Sequence, residues 1–339
     1  MRQVIDTHTH IAPIPWEEGT VSADSIRVAL QVMDDNGIIK AVDLDGTFGE
    51  RLRENLAQFR RHGAGRVVSF ANLDYSYLNE PDFGKRAMAL LEDARAQGAV
   101  GLKLFKQVGL DYRDREGRFV RLDDPRFDPV WTKAGELEMP VLIHVADPAA
   151  FFRPPTPDNE RYEELQVHPE WSFYGDQFPP REALLTQFVN IMLRHPETTF
   201  IGPHFGNNPE NPRWVAAVMR RCPNFTMDIS ARLGEIGRHD PATLREFFIE
   251  FQDRIMFGTD TVLTGEHIDL GVPLPESKTP EEARVFYDIH WKFFETNERD
   301  FDHPSPIQGR WKINAIGLPP DVLEKVYRGN AERLIDGLA

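Results

Sequence analysis

The sequence predicts an α/β protein of the (β/α)8 TIM-barrel class, distorted by long loops after its fourth, fifth and eighth strands. Three observations lead there. Short apolar, β-branched runs alternate with amphipathic stretches of helical length along the whole chain. The strand candidates number eight, and each is nearly continuous in apolar character, as parallel strands covered on both faces must be. The 339 residues suit one barrel better than two domains. No internal repeat, low-complexity tract or linker divides residues 1–339, so they read as a single domain. A doubly wound open sheet is the rival architecture. No G-x-G-x-x-G follows any strand, so its nucleotide-binding versions lose support.

In chain order the strand candidates are Gln3–His8, Ile38–Leu44, Arg66–Ala71, Ala99–Phe105, Pro140–Val145, Thr199–His204, Asn224–Ile229 and Arg254–Gly258. Helical periodicity covers Ser22–Asn36, where Ile26, Leu30 and Met33 share a stripe, and Lys85–Gln97, where Met88, Leu91 and Ala94 do. Pro125–Glu138, Arg181–His195, Pro209–Arg220 and Pro241–Phe251 follow the same logic, with Asp240-Pro241 reading as a cap and first turn. Three interruptions exceed an ordinary loop: Gln107–Asp124, Ala146–Pro180 and Thr261–Gly309, the last with a helix near Glu281–Thr296. All three leave carboxyl ends of strands, where barrel active sites are built.

Composition narrows the function. The formal charge is −15, from 39 Lys+Arg against 54 Asp+Glu. That argues against nucleic acid and against an anionic membrane surface, both of which need a basic face. A single cysteine, Cys222, excludes an internal disulfide framework and a Cys-rich zinc site. No apolar run approaches the roughly 20 residues that span a bilayer. The opening MRQVIDTHTH has no apolar core of a secretory signal, so a cytoplasmic location is expected.

The chemistry gathers at the strand ends. The first strand supplies Asp6, His8 and His10; the fifth supplies His144, the sixth His204, the seventh Asp228 and the eighth Asp260. Residues i and i+2 of a strand face the same side, so His8 and His10 can converge on one ion. Imidazole and carboxylate together suit a divalent transition metal. Asp6 shares their parity and reads either as an acceptor orienting an imidazole or as part of an ion pair in the barrel floor. Asp228 reads either as a partner of His204 or substrate, or as a helix N-cap. Lys103, on the fourth strand, reads as a substrate-binding cation or a structural ion pair. Arg153, in the aromatic loop after His144, reads as a carboxylate-binding guanidinium. The loop aromatics themselves read mainly as a small core of their own.

VIDTHTH, VLIHVADP, FIGPHFG and IMFGTD, closed by VYRGNAERLI, resemble the amidohydrolase superfamily. They are most similar to its amidohydrolase-related branch, which includes aminocarboxymuconate semialdehyde decarboxylase. The resemblance runs from Ile5 to Ile335. It implies a mononuclear site with His8, His10 and His144 as nitrogen ligands and Asp260 as the oxygen ligand. It also implies that His204 is a catalytic histidine beside an activated water, with His204 or Asp260 as general base. The ion implied is one divalent metal, zinc first, with manganese or iron as alternatives. Some superfamily members bridge two metals with a carbamylated lysine from the fourth strand, which makes Lys103 the alternative second-metal residue. The expected activity is metal-dependent hydrolysis of a small, carboxylated molecule. Non-oxidative decarboxylation is the alternative. Several aromatic-acid decarboxylases of the branch carry glutamate in place of the first histidine, whereas this chain keeps His8. A homodimer is the assembly the resemblance implies.

Overall fold

Ladder hydrogen bonds follow chain order around a ring. The computed structural model describes residues 2–265 and 267–339. The parallel strands are β1 (Val4–His10), β2 (Ile38–Asp43), β3 (Val67–Ser69), β4 (Leu102–Leu104), β5 (Val141–Ile143), β6 (Phe200–Gly202), β7 (Phe225–Asp228) and β8 (Ile255–Met256). An Ala71–Leu102 bridge links the β3 edge to β4, where Lys103 N donates to Ala71 O at 2.8 Å. The other gap closes through Thr7 N to Phe257 O at 3.0 Å and Asp260 N to His8 O at 2.8 Å. The result is the expected TIM barrel.

The eighth strand is broken. After β8 the chain leaves β7, passes Asp260 at φ 63°, and resumes as β9 (Thr261–Leu263) beside β1, with Thr9 opposite Thr261 and His10 opposite Val262. It then turns back antiparallel as β10 (Ile268–Leu270). Pairing with β9 carries β1 through His10, two residues past the expected end. The other strands are shorter than their apolar runs.

Outside lie α1 (Ala23–Asn36), α2 (Gly49–His62), α3 (Phe83–Gln97), α4 (Asp128–Glu136), α5 (Arg181–Arg194), α6 (Pro212–Arg221), α7 (Pro241–Glu250), α8 (Pro280–Glu295) and α9 (320–334). The sequence reading lacked α2. Its buried Leu52, Leu56 and Phe59 follow helical spacing, but nine of its residues are polar or charged and mask that stripe. Asp240 caps α7 as expected, accepting from Thr243 N at 2.8 Å. Asp240→Ala should lower stability by about 1 kcal/mol, read as a lower urea midpoint with unchanged slope.

Inside the ring, Ile5, Val42, Leu44, Phe70, Leu142, Ile201 and Met256 form one apolar layer with Ala331, Ile335 and Leu338. That layer marks the amino-terminal end of the barrel, since Lys40 Nζ, near the start of β2, donates to Gly337 O at 3.1 Å. The opposite end is left for polar groups. No helix among the described residues is long and apolar enough to cross a membrane.

On α8, burial pushes the His290 pKa from 6.5 down to about 4. The unfolded chain therefore takes up this proton near 6.5, and the native chain only near 4. The stability gained by keeping it neutral is complete above that window and is lost as pH falls through it, at about 1.4 kcal/mol per pH unit. His290→Leu should make the acid limb of a stability–pH curve shallower by one proton.

Candidate metal centre and active site

At the carboxyl end of β1, His8 and His10 turn their rings toward the break in strand eight. His8 Nε2 lies 3.2 Å and His10 Nε2 3.1 Å from the same oxygen, Asp260 Oδ1. Both far nitrogens are held by carboxylates. His8 Nδ1 donates to Asp228 Oδ2 at 2.9 Å, and His10 Nδ1 to Asp45 Oδ2 at 2.7 Å. A carboxylate only accepts, so the protons sit on Nδ1 and the Nε2 lone pairs face inward. Two lone pairs and a carboxylate oxygen thus converge, which only a positive charge can reconcile. The ligand atoms of His8, His10 and Asp260 all lie within 4.8 Å of one another, so the donors present fit a divalent ion.

The electrostatics agree. Burial opposes charge on His10, but Asp45 and Asp260 outweigh it and push its pKa up to about 10, so without an ion a proton on Nε2 supplies the positive charge that a metal would replace. Burial would likewise raise the Asp260 pKa, yet His8 and His10 hold it well below the usual carboxylate range. The His8 side chain is 1% exposed and that of Asp260 25%, so the group opens to the mouth on the Asp260 side.

His204 stands beside this group, its ring 5.0 Å from that of His8 and 4.4 Å from that of His144. It begins a left-handed turn after β6: His204, Phe205, Gly206 and Asn207 have φ of 58°, 59°, 65° and 61°. Each non-glycine residue there costs about 1–2 kcal/mol, and packing must hold it. Asp228 Oδ1 accepts His204 N at 3.0 Å, and Asn207 ties the turn to strand five through Ile143 O and Val145 N at 3.1 and 3.2 Å. His204 Nδ1 donates to Ser230 O at 3.0 Å, which leaves Nε2 as an open lone pair. Burial holds the His204 pKa well below its ordinary value, so the ring stays neutral.

His144 lies outside the 4.8 Å group. Its Nε2 donates to Asp147 Oδ1 at 3.1 Å, so only Nδ1 remains to bind an ion. Burial alone would raise the Asp147 pKa, but Lys106 at 2.6 Å and His144 draw it far below the usual range.

Lys103 is 1% exposed. Its Nζ sits 4.9 Å over the Phe105 ring and makes no hydrogen bond or ion pair among the described residues. It lines a cavity of about 320 Å³ with Trp16, Phe48, Asn72, Phe105 and Tyr112. Burial lowers its pKa to about 8, leaving the ammonium form dominant at neutral pH.

Two expectations need correction. Asp6 orients no imidazole and joins no ion pair: it accepts from His8 N, Thr259 N, Thr259 Oγ1 at 2.6 Å and Tyr287 Oη at 3.1 Å. A register shift in β1 between Asp6 and Thr9 breaks the parity that grouped it with the histidines, and turns it toward α8. Arg153 is exposed and forms no side-chain hydrogen bond or ion pair among the described residues; its charge is felt at Glu160, away from the centre. The loop aromatics pack on one another, Phe151 on Trp171 at 6.0 Å and Phe152 on Phe173 at 5.5 Å, as a small core.

The family model described as amidohydrolase matches residues 5–337. The chain belongs to the amidohydrolase family. A TIM-barrel protein of Bordetella bronchiseptica is 14% identical over 98% of each chain, with a TM-score of 0.58. The 4-oxalomesaconate hydratase of Rhodopseudomonas palustris is 16% identical over 99% of this chain and 96% of its own, with a TM-score of 0.56. A dihydroxybenzoic acid decarboxylase of Polaromonas sp. JS666, solved with manganese and 2-nitroresorcinol, is 16% identical over 98% of this chain and 97% of its own, at 0.53. At these identities the three share the fold. No curated protein matches the chain by sequence.

In this amidohydrolase the sequence reading missed Asp45, Asp147, Ser230 and Arg232. Asp147 lay inside VLIHVADP, three residues after His144, and an acid so close to a strand-end histidine was a usable signal. Asp45 had none, because its contact with His10 is made across strands.

Proposed function

We propose that this amidohydrolase is a metal-dependent hydrolase of a small carboxylated molecule. The observation that carries the reading is the convergence of His8 Nε2, His10 Nε2 and Asp260 Oδ1, each held with its lone pair inward. These three, joined by His144 through Nδ1, would hold the ion. A divalent ion bound there supplies Lewis acidity, making water acidic near neutral pH and steadying charge on an oxygen. Zinc is the first candidate, then manganese or iron. Lys103 holds the substrate carboxylate, with the Phe105 ring beneath its ammonium and Trp16 packed edge-on against that ring. His204 takes a proton at Nε2 and returns it to the leaving group, its orientation secured by Ser230 O. Asp260, whose Oδ1 lies against both His8 Nε2 and His10 Nε2, serves as ligand rather than base.

One observation favours a second reaction, loss of carbon dioxide from the same class of acid. The rings around Lys103 give a carboxylate poor solvation, which favours losing its charge; the Polaromonas neighbour is a decarboxylase.

Chelation followed by reloading with zinc, manganese or iron tests both. Turnover of carboxylated amides, esters or lactones should vanish on chelation and return with one of the ions. Hydrolysis indifferent to chelation overturns the proposal. Metal-dependent carbon dioxide release without hydrolysis selects the second reaction.

A further inference from the structure

Among the described residues, two buried cations in the barrel mouth have no anion within hydrogen-bond reach. Lys103 is one. Arg232, just past β7, is the other: it is 6% exposed, and among the described residues its only side-chain hydrogen bond is from Nη1 to the adjacent Ala231 O at 2.9 Å. Its Nη2 stops 4.0 Å from Asp147 Oδ1, beyond hydrogen-bond range. Asp147 is already engaged by Lys106 at 2.6 Å and His144 at 3.1 Å. The other buried guanidiniums nearby are neutralised: Arg161 by Glu164 at 2.6 Å and by Glu235, and Arg181 by Glu210 at 3.0 Å.

Arg232 is also set in place at a cost. Ala231, immediately before it, sits at φ 54°, a left-handed conformation that a non-glycine residue adopts only under constraint. The two cations approach the histidines from different strands. Lys103 stands on β4 beside β5, which ends just before His144, and Arg232 follows β7, its Nη2 4.0 Å from the Asp147 oxygen that His144 Nε2 holds at 3.1 Å. A buried cation without a partner is unfavourable, and a ligand anion relieves it.

We infer that the substrate is a dianion, with one carboxylate on Lys103 and a second acidic group held by the Arg232 fork. The guanidinium suits bidentate recognition, and the ammonium acts as a point charge. The atoms joining the two acid groups then pass the histidines. The inference rests on the mouth being the substrate site, as proposed above.

Calorimetry on the zinc-loaded protein tests it with two matched pairs, isophthalate against benzoate and glutarate against butyrate. At least one diacid should bind about tenfold or more tightly than its monoacid. Arg232→Met should bring that ratio near one while keeping the monoacid affinity, and Arg232→Lys should restore part of it. Lys103→Met should also bring the ratio near one. Thermal unfolding of each variant separates lost binding from lost folding. The inference is overturned if neither diacid outbinds its monoacid, or if the ratio survives in a folded Arg232→Met. A ratio that holds in protein without metal-dependent turnover keeps the dianion and discards the hydrolase; turnover with a ratio of one does the reverse.

Discussion

Asp260→Asn is expected to purify with little bound metal and to lose turnover by about 10²–10³-fold or more. The substitution isolates charge. Asparagine is among the few residues that tolerate a left-handed backbone, so φ 63° at this break in strand eight is preserved. The main-chain bond from residue 260 to His8 O, 2.8 Å in the native chain, is untouched. What disappears is the anionic oxygen shared by His8 Nε2 and His10 Nε2. An amide oxygen is a far weaker ligand for a divalent ion. His8→Ala should reproduce the metal loss by removing a nitrogen donor. Metal analysis beside activity checks both variants, and full metal content in the two together would exclude this group as the metal centre.

The barrel was legible because its parallel strands are buried on both faces and so stand out as apolar runs. The pair His8 and His10 was legible for a related reason: strand parity survives over two residues, and both rings do reach Asp260. Legibility failed wherever the backbone departed from regular geometry. A register shift between Asp6 and Thr9 moved Asp6 to the α8 side, so equal parity no longer meant a shared face. Asp260 was read correctly at the end of strand eight, but the exchange of β7 for β1 there was not, because no periodicity announces an exchange of partners. The left-handed turn from His204 to Asn207 contains one glycine among four residues, and its support comes from Asp228 and strand five, both distant in sequence. A carboxylate-binding guanidinium was sought at Arg153, close to His144 in sequence, but Arg153 is exposed, whereas the distant Arg232 is brought within 4.0 Å of Asp147, the partner of His144, by the fold.

Asp228→Asn should have the next largest effect, through the tautomer of His8. Asp228 is fully buried and accepts four hydrogen bonds: from His8 Nδ1 at 2.9 Å, from His204 N and Ser230 N at 3.0 Å each, and from Ser230 Oγ at 2.6 Å. Burial would raise its pKa, but His8 and Ser230 hold it below the ordinary value, so it stays ionised. An amide keeps the shape and replaces one acceptor oxygen with a donor. If the amide nitrogen faces His8 Nδ1, that nitrogen must give up its proton, and the proton moves to Nε2, where it blocks the inward lone pair. If instead the nitrogen faces the Oδ1 side, it opposes the donors of His204 N and Ser230, and the left-handed turn loses its anchor. Either orientation harms the centre: metal affinity should fall by about 10–100-fold, the usual cost of losing a carboxylate behind a histidine ligand. Asp45→Asn provides the comparison. It makes the same exchange behind His10, where Asp45 Oδ1 has no hydrogen-bond partner among the described residues to oppose an amide nitrogen. The Asp45 amide can therefore turn its oxygen to His10 Nδ1 and keep the tautomer, so its metal affinity should fall less. Competition against a chelating dye measures both. Equal losses in the two variants would mean that the charge behind each ring, rather than the proton it fixes, governs metal binding.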